Sequence, residues 1–160
     1  MPRLADFSLV DLHAALDAHR HAHELSWSQA AREIGVGAST ISGLRARAVA
    51  EADGVLQMLR WLRRSPESFV PDHPWSDRAD TRLKAPPLGR ILRIDGFRLH
   101  EALDARRMEL GLSWPRLAHE LTVGRSSLTG LESGARTAFP AVMRFSGWLS
   151  RPLAEFTRSS

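Results

Sequence analysis

Shifted by 87 positions, this sequence lies on itself without a gap. LHAALDAHRHAHELSWSQAAREIGVGASTISGL begins at Leu12, and LHEALDARRMELGLSWPRLAHELTVGRSSLTGL begins at Leu99. Residues 12–70 and 99–157 share about 23 identities over 59 positions, where unrelated segments would share roughly four. The match reaches the periphery, pairing Trp61-Leu62 with Trp148-Leu149, Phe69 with Phe156 and Arg3 with Arg90. An internal duplication follows, with one unit in residues 1–70 and a second in 90–160. Each copy, ~65 residues, is large enough to fold around a small core of its own. Between them, residues 71–89 read PDHPWSDRADTRLKAPPLG, rich in proline and charge and without apolar period, which predicts a linker. From Phe69 to Asp95 such a chain reaches up to ~80 Å.

Each copy reads as a series of short helices. Ser8 and Asp95 hold the same repeat position, and both are good N-caps. Phe7 with Leu12, and Ile94 with Leu99, have the spacing of a hydrophobic staple across that cap. A first helix then buries Leu12, Ala15 and Leu16, or Leu99, Ala102 and Leu103, and ends near Glu24 or Gly111. A second opens at Ser26 or Ser113. Ser26-Trp27-Ser28-Gln29 fits a capping box, and Pro115 falls in a first turn, where its missing N–H breaks no bond. This helix stops at Gly35-Val36-Gly37 or Thr122-Val123-Gly124. A third follows at once, Ala38 to Arg45 or Arg125 to Glu132, burying Ile41 and Leu44 or Leu128 and Leu131. A fourth runs from about Asp53 to Arg63 and from Pro140 to Ser150, and a last turn from Pro66 or Pro152 ends in Phe69 or Phe156. The fold expected is all-α, five helices to a unit.

Two short helices joined by a tight turn, the second opening with small polar residues, form a helix-turn-helix arrangement. Leu25 to Leu44, LSWSQAAREIGVGASTISGL, resembles the Cro/repressor-type (xenobiotic response element, XRE) helix-turn-helix family. So does Leu112 to Gly134, which keeps that family's Leu-Glu-x-Gly ending in Leu131-Glu132-Ser133-Gly134; the first copy departs from it with Leu44-Arg45-Ala46-Arg47. The resemblance covers both repeats and not the linker. It implies two tandem five-helix domains that bind double-stranded DNA, with a role in transcription regulation.

In such a fold the third helix lies in the major groove and its N-terminal residues meet base edges. The matching positions are Ala38, Ser39, Ser42 and Gly43 in the first copy, and Arg125, Ser126, Thr129 and Gly130 in the second. Arg125 has the reach for a bidentate pair with guanine; its other reading is a phosphate contact or a solvated helix start. The first copy offers only small side chains, so the second is expected to carry more of the sequence information. Phosphate contacts are expected at the start of the second helix, from backbone N–H groups at Ser26 and Ser113, from Trp27 and Trp114, and from Gln29 and Arg116. Arg45, Arg47 and Arg136, after the third helix, complete that set. The competing reading of both tryptophans is packing on their own unit. Trp61 and Trp148 are expected in core or inter-unit packing.

Composition bounds the alternatives. The chain of 160 residues contains no cysteine, which excludes disulfides and every Cys-based metal or redox site. It has no apolar run of membrane-spanning length and no signal-like N-terminus, so a cytoplasmic protein without membrane contact is expected. The net charge is +4, and Lys84 is the one lysine among 22 basic residues; with no tyrosine or cysteine to titrate, this small excess yields a pI near 11.0. No phosphate-loop, zinc-protease or nucleophile-elbow motif is present, and no catalytic residue, cofactor or enzyme activity is expected. His19, His21 and His23 alternate near the end of the first helix; a solvated, partly charged helix end is the reading taken, with no metal.

A sequence-specific DNA-binding regulator with two fused modules is the leading expectation. It acts as a monomer with a pseudo-two-fold, or as a homodimer. The segments Arg3 to Phe7 and Arg90 to Ile94 are expected to pair as short strands about that axis. The rival is a helical protein-interaction adaptor of antitoxin or anti-repressor type, or a hybrid with one module on DNA and the other on a protein partner. Overall charge is modest, with residues 1–70 neutral. Local charge separates the readings: Arg32, Arg45 and Arg47 face Glu33 alone, and Arg116, Arg125 and Arg136 face Glu120 and Glu132, which favours DNA.

Overall fold

A computed structural model describes residues 5–46, 50–76, 78–134 and 137–160. It is mostly helical, with one small two-stranded sheet. Eight α-helices occur among the described residues: α1 (Leu9–Ala22), α2 (Trp27–Ile34), α3 (Ala38–Ala46), α4 (Ala52–Leu62), α5 (Gly96–Glu109), α6 (Trp114–Leu121), α7 (Arg125–Ser133) and α8 (Phe139–Leu149). Each of the last four starts 87 residues after its counterpart and has the same length, 14, 8, 9 and 11 residues in turn. Short 3-10 turns at Pro66–Phe69 and Leu153–Phe156 follow the same offset, and a third lies at Ala79–Thr81. No helix among the described residues is long and apolar enough to cross a membrane.

The helix ends form as their residues dictate. Ser8 accepts from the Asp11 N–H, and Asp95 from the Arg98 N–H. Ser26 and Gln29 close a full capping box, and Ser113 caps α6 with Pro115 in its first turn. Gly35 and Gly134 take left-handed conformations, at φ 91° and 74°, that end α2 and α7. The fourth helices begin one residue earlier than the sequence suggests. Glu51 is the α4 cap because its carboxylate reaches the N–H groups of Asp53 and Gly54, so Ala52 enters the helix.

Packing follows the apolar stripes. Leu12, Leu16, Ile41, Leu44, Leu56 and Leu59 are sealed from solvent in the first half, as are Leu99, Leu103, Leu128, Leu131, Phe139 and Phe145 in the second. These residues belong to one continuous core. The halves meet where their fourth helices begin. Glu51 and Ala138, 87 residues apart, form an antiparallel bridge, in which the Ala52 N–H donates to Thr137 O at 2.9 Å and the Phe139 N–H to Ala50 O at 2.8 Å. The 87-residue offset exchanges one of these bonds for the other. The start of each half is also tied to its own end, by Ser8 N–H to Phe69 O at 2.9 Å and Asp95 N–H to Phe156 O at 2.6 Å.

The expected pairing of Arg3–Phe7 with Arg90–Ile94 is not what forms. Arg3 and Leu4 lie outside the described residues, and Ala5–Phe7 is not a strand. Leu92–Ile94 (β1) pairs instead with Thr157–Ser159 (β2), antiparallel, with Leu92 opposite Ser159 and Ile94 opposite Thr157. The other edge of β1 is taken by α4: the Ile94 N–H donates to Asp53 Oδ1 at 2.9 Å, and Gln57 Nε2 donates to Leu92 O at 2.6 Å. On that edge two backbone groups of β1 are thus engaged by side chains of α4 rather than by a further strand. Ala5–Phe7 lies against α8 through side chains. Asp6 accepts two bonds from Arg144, at 2.9 and 2.8 Å, and the Phe7 ring meets Phe139 edge-on at 4.7 Å. The segment between the halves does not hang free. His73 and Thr81 are buried, and Ser65 Oγ donates to Ser76 O at 3.0 Å.

Candidate nucleic-acid interface

In α3 and α7 one face is anchored and the opposite face is open. Ile41 and Leu44, and Leu128 and Leu131, are buried. Ala38, Ser39, Ser42 and Arg45 are exposed, with Gly43 half-buried; in α7, Arg125, Ser126 and Thr129 are exposed and Gly130 half-buried. All eight expected base-contact positions thus share the outward faces of two equivalent helices. The hydroxyl of Ser42 donates to Ser39 O at 3.2 Å, and that of Thr129 lies 3.3 Å from Arg125 O. With their protons turned back on the helix, these oxygens face outward as acceptors, the role that an adenine N6 or cytosine N4 amino group requires. Gly124 caps α7 without a side-chain bond, which leaves the first N–H groups of that helix for an outside acceptor.

The starts of α2 and α6 are exposed at Ser26, Ser28, Gln29, Ser113 and Arg116. Gln29 Oε1 accepts from the Ser26 N–H at 2.8 Å, so this side chain is held in place with its amide NH2 outward. Trp27 and Trp114 are half-buried and pack against the core of their own halves. The Arg20 guanidinium covers Trp27 at 4.6 Å with His13 at 5.1 Å, and Arg107 covers Trp114 at 4.7 Å with His100 stacked at 4.8 Å. Each of these arginines also pairs with an aspartate one turn back, Asp17 or Asp104, and donates to the carbonyl of Leu25 or Leu112. The identical clamp in both halves fixes the turn that precedes the second helix. Through this hydrogen bond, Arg20 holds the Asp17 carboxyl below the usual carboxylate range. The recurrence of Asp17/Asp104 and Arg20/Arg107 was visible in the sequence as identities three residues apart, a helical ion-pair spacing.

The two faces differ in charge. Arg45 stands where the second half has Glu132. On the first face, His13, Trp27, Ala38, Ser39, Ile41, Ser42 and Arg45 line an open groove of about 720 Å³. Burial, reinforced by the Arg45 charge, lowers the His13 pKa and favours the neutral ring. On the second face, Glu132 lies 3.9 Å from His100 Nε2, and the long Arg125 replaces Ala38. Arg47 and Arg136, both expected at phosphates, lie outside the described residues.

Of the three histidines expected at a solvated helix end, His21 and His23 are exposed and His19 is half-buried. His19 stacks on His23 at 4.4 Å and meets Trp61 edge-on at 4.3 Å. Burial first, then the His23 charge, lowers the His19 pKa and favours its neutral ring. Among the described residues no three potential ligands come together to hold a metal ion. Trp61 and Trp148 pack against the core, the latter under Arg106 at 5.3 Å. Comparison of the chain with protein-family models, with curated proteins and with solved structures yields no match.

Proposed function

We propose that this chain is a double-stranded DNA-binding transcriptional regulator built from two duplicated helix-turn-helix units, which reads sequence through α3 and α7. The observation that carries the reading is the recurrence of one arrangement at an offset of 87 residues. In both halves a capped eight-residue helix and a tight turn present a nine-residue helix whose apolar side is buried and whose polar start is exposed. In this reading a local two-fold passes through the Glu51–Ala138 bridge and relates the halves within a monomer. Backbone bonds, rather than linker length, then set the spacing of the two reading helices. Because Arg125 and Glu132 replace Ala38 and Arg45, the site is asymmetric, with the strongest base discrimination at Arg125. Such a protein works where the cell's DNA is, in keeping with a cytoplasmic location.

The hybrid reading draws on one observation. The groove beside Trp27 is framed by short side chains at α3, so the first unit has room to seat a protein side chain while the second reads DNA. Titration of the full chain against labelled duplexes of mixed sequence over a salt series separates the two classes. Binding that weakens log-linearly with salt supports the DNA reading, because phosphate contacts release counterions. Absence of binding at the lowest salt contradicts it and leaves the adaptor.

A further inference from the structure

One acidic side chain is sealed in the protein without a hydrogen bond or a cation among the described residues. Glu67, in the turn Pro66–Phe69, is 1% exposed, and neither carboxylate oxygen has a hydrogen-bond partner among the described residues. It sits where three turns converge. Its own turn closes the first half, the Leu153 backbone that opens the equivalent turn of the second half faces it, and Asp80 approaches from the turn Ala79–Thr81 between the halves. That middle turn packs on Leu153–Phe156 and buries Thr81 completely. The described charged groups around the junction do not compensate Glu67. Asp80 is paired with Arg78, Arg151 with Glu155, and the Arg64 guanidinium lies over the Phe69 ring at 4.0 Å. Asp80 adds a like charge. The 87-residue offset puts Ala154 at the matching position of the second half, so the turn itself has no need of a carboxyl.

A buried carboxylate that no cation pairs and no closed hydrogen bond satisfies is costly, whereas the neutral acid is tolerated. We propose that Glu67 is a proton-operated latch on the junction between the two halves: it is closed when the carboxyl is neutral and loosened when ionisation draws water to it. Burial, with the smaller push of Asp80, raises the Glu67 pKa to about 7; the nearby backbone amides of Glu67 and Leu153, which close no full hydrogen bond to it, oppose that shift only in part. The sign follows. A group whose folded-state pKa lies above its unfolded value contributes stability that is complete below pH 4.5 and is lost as pH rises through about 7. The proposal does not depend on what the α3 and α7 faces bind.

The test is carbon-13 NMR of the glutamate carboxyls in the full-length protein from pH 5 to 9, with amide hydrogen exchange across residues 71–83. Glu67 is expected to titrate with a midpoint near 7, and exchange in that segment to accelerate several-fold through the same midpoint, beyond the intrinsic pH dependence. Glu67→Gln should remove the acceleration; Glu67→Ala, the residue of the second half, serves if the glutamine variant does not fold. A midpoint in the ordinary carboxylate range overturns the latch. So does a midpoint near 7 without accelerated exchange, or acceleration that persists in the variants.

Discussion

Arg125 and Gly96 show how much single positions carry. Arg125 is exposed at the first position of α7, where no described side chain engages its guanidinium, so its five donors are available to a base edge. Arg125→Ala is expected to lower affinity for the preferred duplex by about 1–3 kcal/mol and to relax selection at one guanine only. Fluorescence anisotropy on duplexes varied at each base pair measures both effects. Gly96 has a different constraint: a Cβ there would lie 2.7 Å from Leu131 O, which belongs to the backbone of α7 and cannot swing aside. Gly96→Ala should cost roughly 1–3 kcal/mol of stability in urea unfolding, by wedging α5 from α7.

At the scale of elements, the helices were legible in the sequence because each is a local object. Ser8, Ser26, Asp95 and Ser113 cap where their spacing to the first apolar residues says they should, and the stripes at Leu12/Leu16 and Leu99/Leu103 point to the core. The two-stranded sheet was not legible. Three residues, Leu92–Ile94, carry no readable period, and their partners are the chain end and two side chains of α4, about 65 and 40 positions away. Glu67 was equally silent, since a glutamate in a turn looks solvent-exposed until the opposing turn is placed on it. The α3 and α7 faces were readable because their residues recur at the 87-residue offset. The Arg20 and Arg107 clamps went unread: the three-residue spacing to Asp17 and Asp104 recurs in both halves, but their role emerges only with the tryptophans stacked beneath them. The α4 clasp on β1 makes its own prediction. Asp53→Ala leaves the Ile94 N–H and Arg93 without their acceptor and should cost about 1–3 kcal/mol, with hydrogen exchange rising at Leu92–Ile94 before the helices.

For the whole molecule, the join between halves decides whether α3 and α7, in the proposed function, act as one rigid reader. Glu51 and Ala138 oppose each other in a non-hydrogen-bonded antiparallel pair, a geometry with Cα atoms ~4.5 Å apart and within disulfide range. In a chain without native cysteine, Glu51→Cys with Ala138→Cys should oxidise to an intramolecular disulfide, whereas Ala5→Cys with Leu92→Cys should not; a thiol count under denaturing conditions reads both. Acid acts against this fold in the sense opposite to Glu67. Burial lowers the pKa of His13, His19 and His73, so the stability held by their neutral rings is present above the ordinary histidine value and is lost as pH falls through the lowered ones. Urea midpoints against pH should therefore peak near neutrality. The central claim, one asymmetric two-headed DNA reader, is tested most directly by selection from a randomised duplex library with the purified full-length chain. Enrichment of a single motif of two unlike half-sites at one fixed spacing is the predicted result. A palindrome, a variable spacing or no enriched motif would contradict the account.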